Sequence, residues 1–165
     1  MNNYCEQLIR AKKSSIYSFV NFLMYFFCFF TIIFLTQKNF VLGIILAAIT
    51  VCIFFFKGRL YVEYEYIFVD GEIEIDLILE AKKRKKAFTF NARDAILIAP
   101  IESDSYKNFS DKPSKIIKCY DKETKDKLYA AIINAGANKL QLHFTPNEIF
   151  LDCCYKKNPR AVKKY

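Results

Sequence analysis

Six cysteines, one histidine, a short row of acids and a run of bases are the residues whose types could do chemistry in this chain. The cysteines stand at positions 5, 28, 52, 119, 153 and 154. No Cys-x-x-Cys pair occurs, and Cys153 and Cys154 are sequence neighbours that a helix would point about 100° apart, so the spacing of a structural zinc site is missing. In a cytoplasmic domain such thiols stay reduced. Cys5 stands just ahead of a basic amphipathic stretch, where acylation is one reading and an unmodified thiol the other. A lone histidine, His143, in a strand pattern reads as a half-buried structural residue. Neither a Ser-His-Asp set, a Walker loop nor a glycine-rich phosphate cradle can be assembled from these residues.

Glu72, Glu74 and Asp76 recur at period two, which puts them on one face of a strand. Three acids so placed could hold a hard cation. They also suit the solvated face of a hairpin, paired with bases across neighbouring strands, and that reading is the expectation here. No catalytic residue, metal ligand or cofactor is assigned. The run Lys82, Lys83, Arg84, Lys85, Lys86 is the most informative surface feature. It reads as a solvated turn or as a contact with anionic lipid headgroups, where each base is worth about 1 kcal/mol within a Debye length. A protein partner is a further reading, and nucleic acid is disfavoured.

The elements that must position these residues fall into two compositions. The chain has 165 residues, a formal charge of +8 and 53% hydrophobic residues. Of its 17 phenylalanines, 11 lie between Phe19 and Phe56. Residues 16–36 carry no formal charge and, as a helix, would reach ~31 Å; residues 40–56 would reach ~26 Å, and both suit a bilayer core of roughly 30 Å. Only Gln37, Lys38 and Asn39 separate them, so they are expected to form an antiparallel hairpin. The first stretch is too long for a signal peptide, lacks an Ala-x-Ala-like exit, and is followed at once by the second. Arg10, Lys12 and Lys13 precede the pair, Lys57 and Arg59 follow it, and the loop holds Lys38 alone. The positive-inside rule then places both termini in the cytoplasm, in a multi-pass protein of the cell membrane. Asn21 inside the first span either seeks a partner on the second helix or on another copy, or lies at the interface near a loosely placed span boundary. Gly43, Ala47 and Ala48 offer small residues for close packing, within the hairpin or against a second copy.

Residues 1–15 read as a cytoplasmic N-terminal segment and residues 57–165 as one β-rich domain. Seven strands are expected, over 61–69, 72–77, 87–90, 95–99, 116–120, 128–133 and 139–144. Asp70-Gly71 between the first two is a strong hairpin signal. Residues 100–114 read as a surface loop, and 121–127 and 134–138 as turns. At the end, Thr145 as cap, Pro146 at the first helical position and Glu148 predict a helix with Ile149, Phe150, Cys153 and Cys154 as its apolar stripe. Lys156 and Lys157 suit its last turn, and Pro159 stops it.

This order, with its aromatic first hairpin over 64–77 and its closing Phe144-Thr145-Pro146-Asn147-Glu148 through Pro159-Arg160, resembles the pleckstrin-homology-like (PH-like) fold. The whole chain is similar to small bacterial membrane proteins that set two spans ahead of such a domain. The resemblance implies a seven-strand sandwich or barrel capped by a C-terminal helix. It carries no catalytic motif and no lipid-binding motif onto this sequence. The expected function is therefore that of a membrane-anchored, non-catalytic module that binds a protein partner, anionic lipid, or both. Two rivals stand beside it: a small subunit of a larger membrane complex, or a homo-oligomer, packed through Asn21, Gly43 and Ala47, and an enzyme with an unfamiliar site.

Overall fold

The computed structural model describes residues 4–109, 113, 115–121, 126–135 and 138–164. Parts of the expected loop over 100–114 and of the turns at 121–127 and 134–138 lie outside the described residues. The chain divides into two compact units, one of Ala11–Val62 with Leu79–Lys83, the other of Met1–Arg10, Glu63–Ile78 and Arg84–Tyr165.

The first unit is built on two apolar helices, α1 (Ser15–Thr36) and α2 (Phe40–Lys57). Both are long and apolar enough to cross a membrane. Ser14 caps α1 by accepting from the Tyr17 N–H at 3.1 Å, and Asn39 caps α2 by accepting from the Leu42 N–H at 3.4 Å. Lys38, with φ 59°, makes the reversal between them. The two helices pack against each other. A Cβ on Gly43 would stand 2.7 Å from Leu35 Cδ2, so a glycine is what lets α2 approach α1 here. Of the packing partners open to Gly43, the structure gives it α1 of its own hairpin. Ala47 is half-buried and Ala48 exposed on the same helix.

The second unit holds two four-stranded sheets. β1 (Tyr4–Ile9), β2 (Val62–Val69), β3 (Glu72–Leu79) and β4 (Lys83–Asn91) are ordered β1-β2-β3-β4. β5 (Ala95–Pro100), β6 (Ile116–Lys118), β7 (Tyr129–Ala135) and β8 (Asn138–Phe144) are ordered β5-β7-β8-β6, with β6 parallel to β8. A one-turn helix α3 (Asp104–Lys107) follows β5, and α4 (Glu148–Lys157) follows β8. Asp70 and Gly71 both take positive φ, 51° and 105°, as a two-residue hairpin turn between right-twisted strands requires. The core is aromatic: Tyr66 packs edge-on against Phe144 and Phe150, at 5.8 and 5.9 Å between centroids, and Phe68 against Phe150. Ile73, Ile75, Ile133 and Leu142 fill the space between them.

Several expectations need correction. The sheet begins before the helices: Tyr4–Ile9 is a strand paired antiparallel with β2, with Ile9 opposite Tyr64, so residues 1–15 are not merely a lead-in. Cys5 and Ile9 on it face the core, and the described residues hold eight strands rather than seven. The cap of α4 is Asn147, whose side chain accepts from the Phe150 N–H at 2.8 Å. Thr145 is 1% exposed, and its N–H donates to the Tyr66 hydroxyl at 3.2 Å, which holds it in the core instead. Starting the helix two residues later rotates its buried stripe: Leu151 is buried with Phe150 and Cys154, whereas Ile149 is 67% exposed. The loop after β5 is not plain surface either. Ser103 caps α3, and Tyr106 and Phe109 pack on Leu97, Ala99 and Ile132.

Candidate functional site

The basic run is less a turn than the opening of a strand. Glu80 and Ala81, at φ 52° and 53°, make the reversal after β3, and β4 begins at Lys83. Residues alternate across a strand, and here the alternation meets acids. Arg84 Nη2 stands 2.7 Å from Glu65 Oε2 and donates to Oε1 at 3.0 Å, while its Nε lies 3.9 Å from Asp76 Oδ2. Lys86 Nζ lies 2.7 Å from Glu74 Oε1. The acids of β2 and β3 therefore neutralise Arg84 and Lys86. Lys82, Lys83 and Lys85 are exposed, and no acid pairs with them among the described residues.

The acidic face itself is drier than expected. Glu72 is exposed and Glu74 half-buried, but Glu65 and Asp76 are 4% and 5% exposed, and Glu63 is buried as well. Among the described residues no group of three or more His, Cys, Asp or Glu side chains is arranged to hold a metal ion. Burial holds the Glu65 carboxyl above its ordinary range, the Arg84 guanidinium pulls it back down, and Glu6 within hydrogen-bond reach pushes it up again. A carboxyl raised in the folded state binds protons more tightly there, so its contribution to stability is full below about pH 4.5 and is lost as pH rises through the folded value. Arg84→Met should therefore cost about 1–2 kcal/mol at neutral pH, a figure kept low because Arg84 is largely exposed to water. The cost should shrink as the pH approaches 4. Urea unfolding of the full chain at pH 4 and pH 7.5 checks this.

At the open end of the helical hairpin a second polar cluster is assembled. Lys57 is 8% exposed rather than reaching outward, and its Nζ donates to Asn21 Oδ1 at 3.0 Å. The same Nζ lies 3.5 Å from Glu80 Oε1, to which the Tyr17 hydroxyl donates at 3.0 Å. The Glu80 N–H donates to the Tyr61 carbonyl at 2.9 Å. Of the two kinds of partner open to Asn21, the structure provides one on the second helix. Sequence reasoning missed Glu80 and assigned Lys57 only a flanking role. No spacing rule links positions 21, 57 and 80, and the one available signal was an acid with one residue between it and a basic run.

The remaining candidates are structural in their surroundings. His143 is buried beside Gln141, whose amide also contacts the Tyr106 hydroxyl, and burial, followed by the Lys118 charge, lowers its pKa. Cys5 is 9% exposed in the core cluster, an inward setting that does not suit acylation. A groove lined by Gln7, Tyr129, Asn147, Leu151 and Lys164 runs beside the start of α4, with Asp152 paired to Lys164.

Two four-stranded sheets and a C-terminal helix, with the two apolar helices following β1 and preceding β2 in the chain, are the elements that carry these clusters. The family model described as Bacterial PH-like domain (DUF6106) matches residues 1–164. The chain belongs to the bacterial PH-like domain family DUF6106. The DUF6106 match runs from before β1 to beyond α4, so the family's unit takes in the helices as well as both sheets. Neither a curated protein nor a solved structure matches this DUF6106 chain. Membership of a PH-like family points to a non-catalytic binding module.

Proposed function

We propose that this chain is a membrane-anchored, non-catalytic interaction module of the cytoplasmic face. α1 and α2 span the bilayer as a hairpin, both termini are cytoplasmic, and the PH-like unit meets anionic lipid headgroups or a protein partner. One observation carries the reading: two helices of spanning length interrupt a PH-like sheet, and the bases cluster at their open end. Arg10, Lys12 and Lys13 precede α1 and Lys57 and Arg59 close α2, against Lys38 alone in the loop. Lys82 and Lys83 belong to the same unit as that open end. With Arg84 and Lys86 committed to acids, Lys82, Lys83 and Lys85 are the bases left for lipid. The rival reading, a subunit of a larger membrane complex, is weakened because Asn21 and Gly43 both have partners inside their own hairpin.

The test uses the full chain in lipid nanodiscs. Amide exchange over residues 81–85 should be slower in anionic than in neutral nanodiscs at low salt, and high salt should remove the difference. Changing Lys82, Lys83 and Lys85 to Gln should remove it too, since three bases at about 1 kcal/mol each amount to roughly a hundredfold. Equal exchange in both lipids would reject the lipid contact and leave a protein partner as the occupant. Topology is read separately. Lys38→Cys should react with an impermeant maleimide from outside intact cells, and Lys156→Cys only after the cells are opened.

A further inference from the structure

We infer that Cys5 and Cys153 form an oxidisable thiol pair, which a peroxide converts to a disulfide tying β1 to α4. The two elements are fixed side by side before any sulfur chemistry. α4 packs against β1, the Gln7 amide donates to the Thr145 carbonyl at 3.0 Å, and the Asn147 N–H donates to Gln7 Oε1 at 2.7 Å. From that anchor Cys5 is two residues back along the strand, on the same face, about 7 Å away. Cys153 is six residues along the helix, about 9 Å away. Cys153 packs against the same core cluster that holds Cys5, and its thiol is near enough to help raise the Cys5 pKa.

The environments of the sulfurs differ in a useful way. Cys153 is half-exposed, so an oxidant reaches it first, whereas Cys5 and Cys154 lie in the core. Burial pushes the Cys5 thiol up to about 12, so alone it is a poor nucleophile, and its reaction depends on an electrophilic sulfur held against it. The Cys153 thiolate attacks one oxygen of hydrogen peroxide, the O–O bond breaks, and a sulfenic acid and hydroxide form. The Cys5 sulfur then attacks the Cys153 sulfur, its proton joins the departing hydroxyl as water, and the S–S bond closes. In sum two thiols and one peroxide give one disulfide and two waters, the thiols losing two electrons. Oxidation would hold the first strand, which leads into α1, to the last helix.

The experiment uses the full chain in mild detergent. It is reduced, treated with hydrogen peroxide, denatured, alkylated with a maleimide and mapped by mass spectrometry. The expected result is a Cys5–Cys153 bridge within one chain, two fewer alkylated thiols, and recovery of both with dithiothreitol. Cys153→Ser, at the half-exposed position, should keep Cys5 fully alkylatable after the same treatment. The proposal is overturned if all thiols survive peroxide that oxidises free cysteine. It is equally overturned if the bridge joins Cys153 to Cys154, joins two chains, or if Cys5 is still consumed in Cys153→Ser.

Discussion

Tyr66→Ala is expected to destabilise the sheet unit by about 3–5 kcal/mol, the usual cost of emptying a large aromatic position in a packed core. Tyr66 is fully buried at the meeting point of both sheets and α4. Its ring packs edge-on against Phe144 and Phe150, and its hydroxyl donates to the Cys119 carbonyl while accepting from the Thr145 N–H. The side chain therefore joins β2, the end of β8 and the segment after β6. Tyr66→Phe separates the two roles. It keeps the ring and strands one carbonyl and one N–H, for a cost of about 1–3 kcal/mol. Thermal unfolding of the full chain in mild detergent should show a fall of roughly 15 °C or more for Tyr66→Ala and clearly less for Tyr66→Phe. Equal falls would mean that the hydrogen bonds, and not the ring packing, hold this junction.

The second large effect is expected at Asn158. Its Nδ2 donates to the carbonyls of Ala92 and Ala95, at 3.0 and 2.9 Å, and its Oδ1 accepts from the Ala161 N–H. One amide thus holds the turn into β5 and the chain leaving α4. Beyond it the tail lies along β5: the Ile98 N–H donates to the Ala161 carbonyl at 2.9 Å, and the Lys163 N–H to the Ile98 carbonyl at 2.8 Å. Ala92 and Ala95 are buried, so Asn158→Ala leaves acceptors without donors and should cost about 2–4 kcal/mol. Hydrogen exchange localises the effect. The Ile98 amide should lose most of its protection while amides of Ile73 and Ile75, across the core, keep theirs apart from the shared loss of global stability. Unchanged protection at Ile98 would mean the tail is held by its other contacts, such as the Tyr129 hydroxyl on the Lys164 carbonyl.

What was legible in the sequence was local. Uninterrupted apolar runs announced α1 and α2 to within a residue, because a helix satisfies its own backbone. Asp70-Gly71 announced the β2–β3 turn because only a few residues accept two successive positive φ angles. What required a distant partner was hidden. Tyr4–Ile9 is short, and the strand that completes it lies beyond both helices, so nothing near it marks it as part of a sheet. The parallel pairing of β6 with β8 has no short-range signature either. In the candidate site, the basic run was plain by composition, but which bases remain uncompensated depended on register. Arg84 and Lys86 face acids of β2 and β3, and Lys82, Lys83 and Lys85 do not. The Lys57–Asn21–Glu80 cluster was invisible because its members come from two helices and a turn.

The placement of the helices between two paired strands constrains how the molecule is made. While the ribosome is still producing α1 and α2, the earliest segment of the sheet has no partner, and its register with β2 closes a loop on the order of 50 residues. Synthesis thus delivers the apolar hairpin first and leaves the edge strand waiting for β2. The same placement makes a soluble fragment starting at Lys57 an open-edged sheet, missing one strand and exposing the backbone of β2 to any other chain in solution. A protease that cuts once between the helices would still leave the two products joined by six residue pairs. Separating the sheets from the apolar helices therefore calls for two cuts, one on each side of the hairpin.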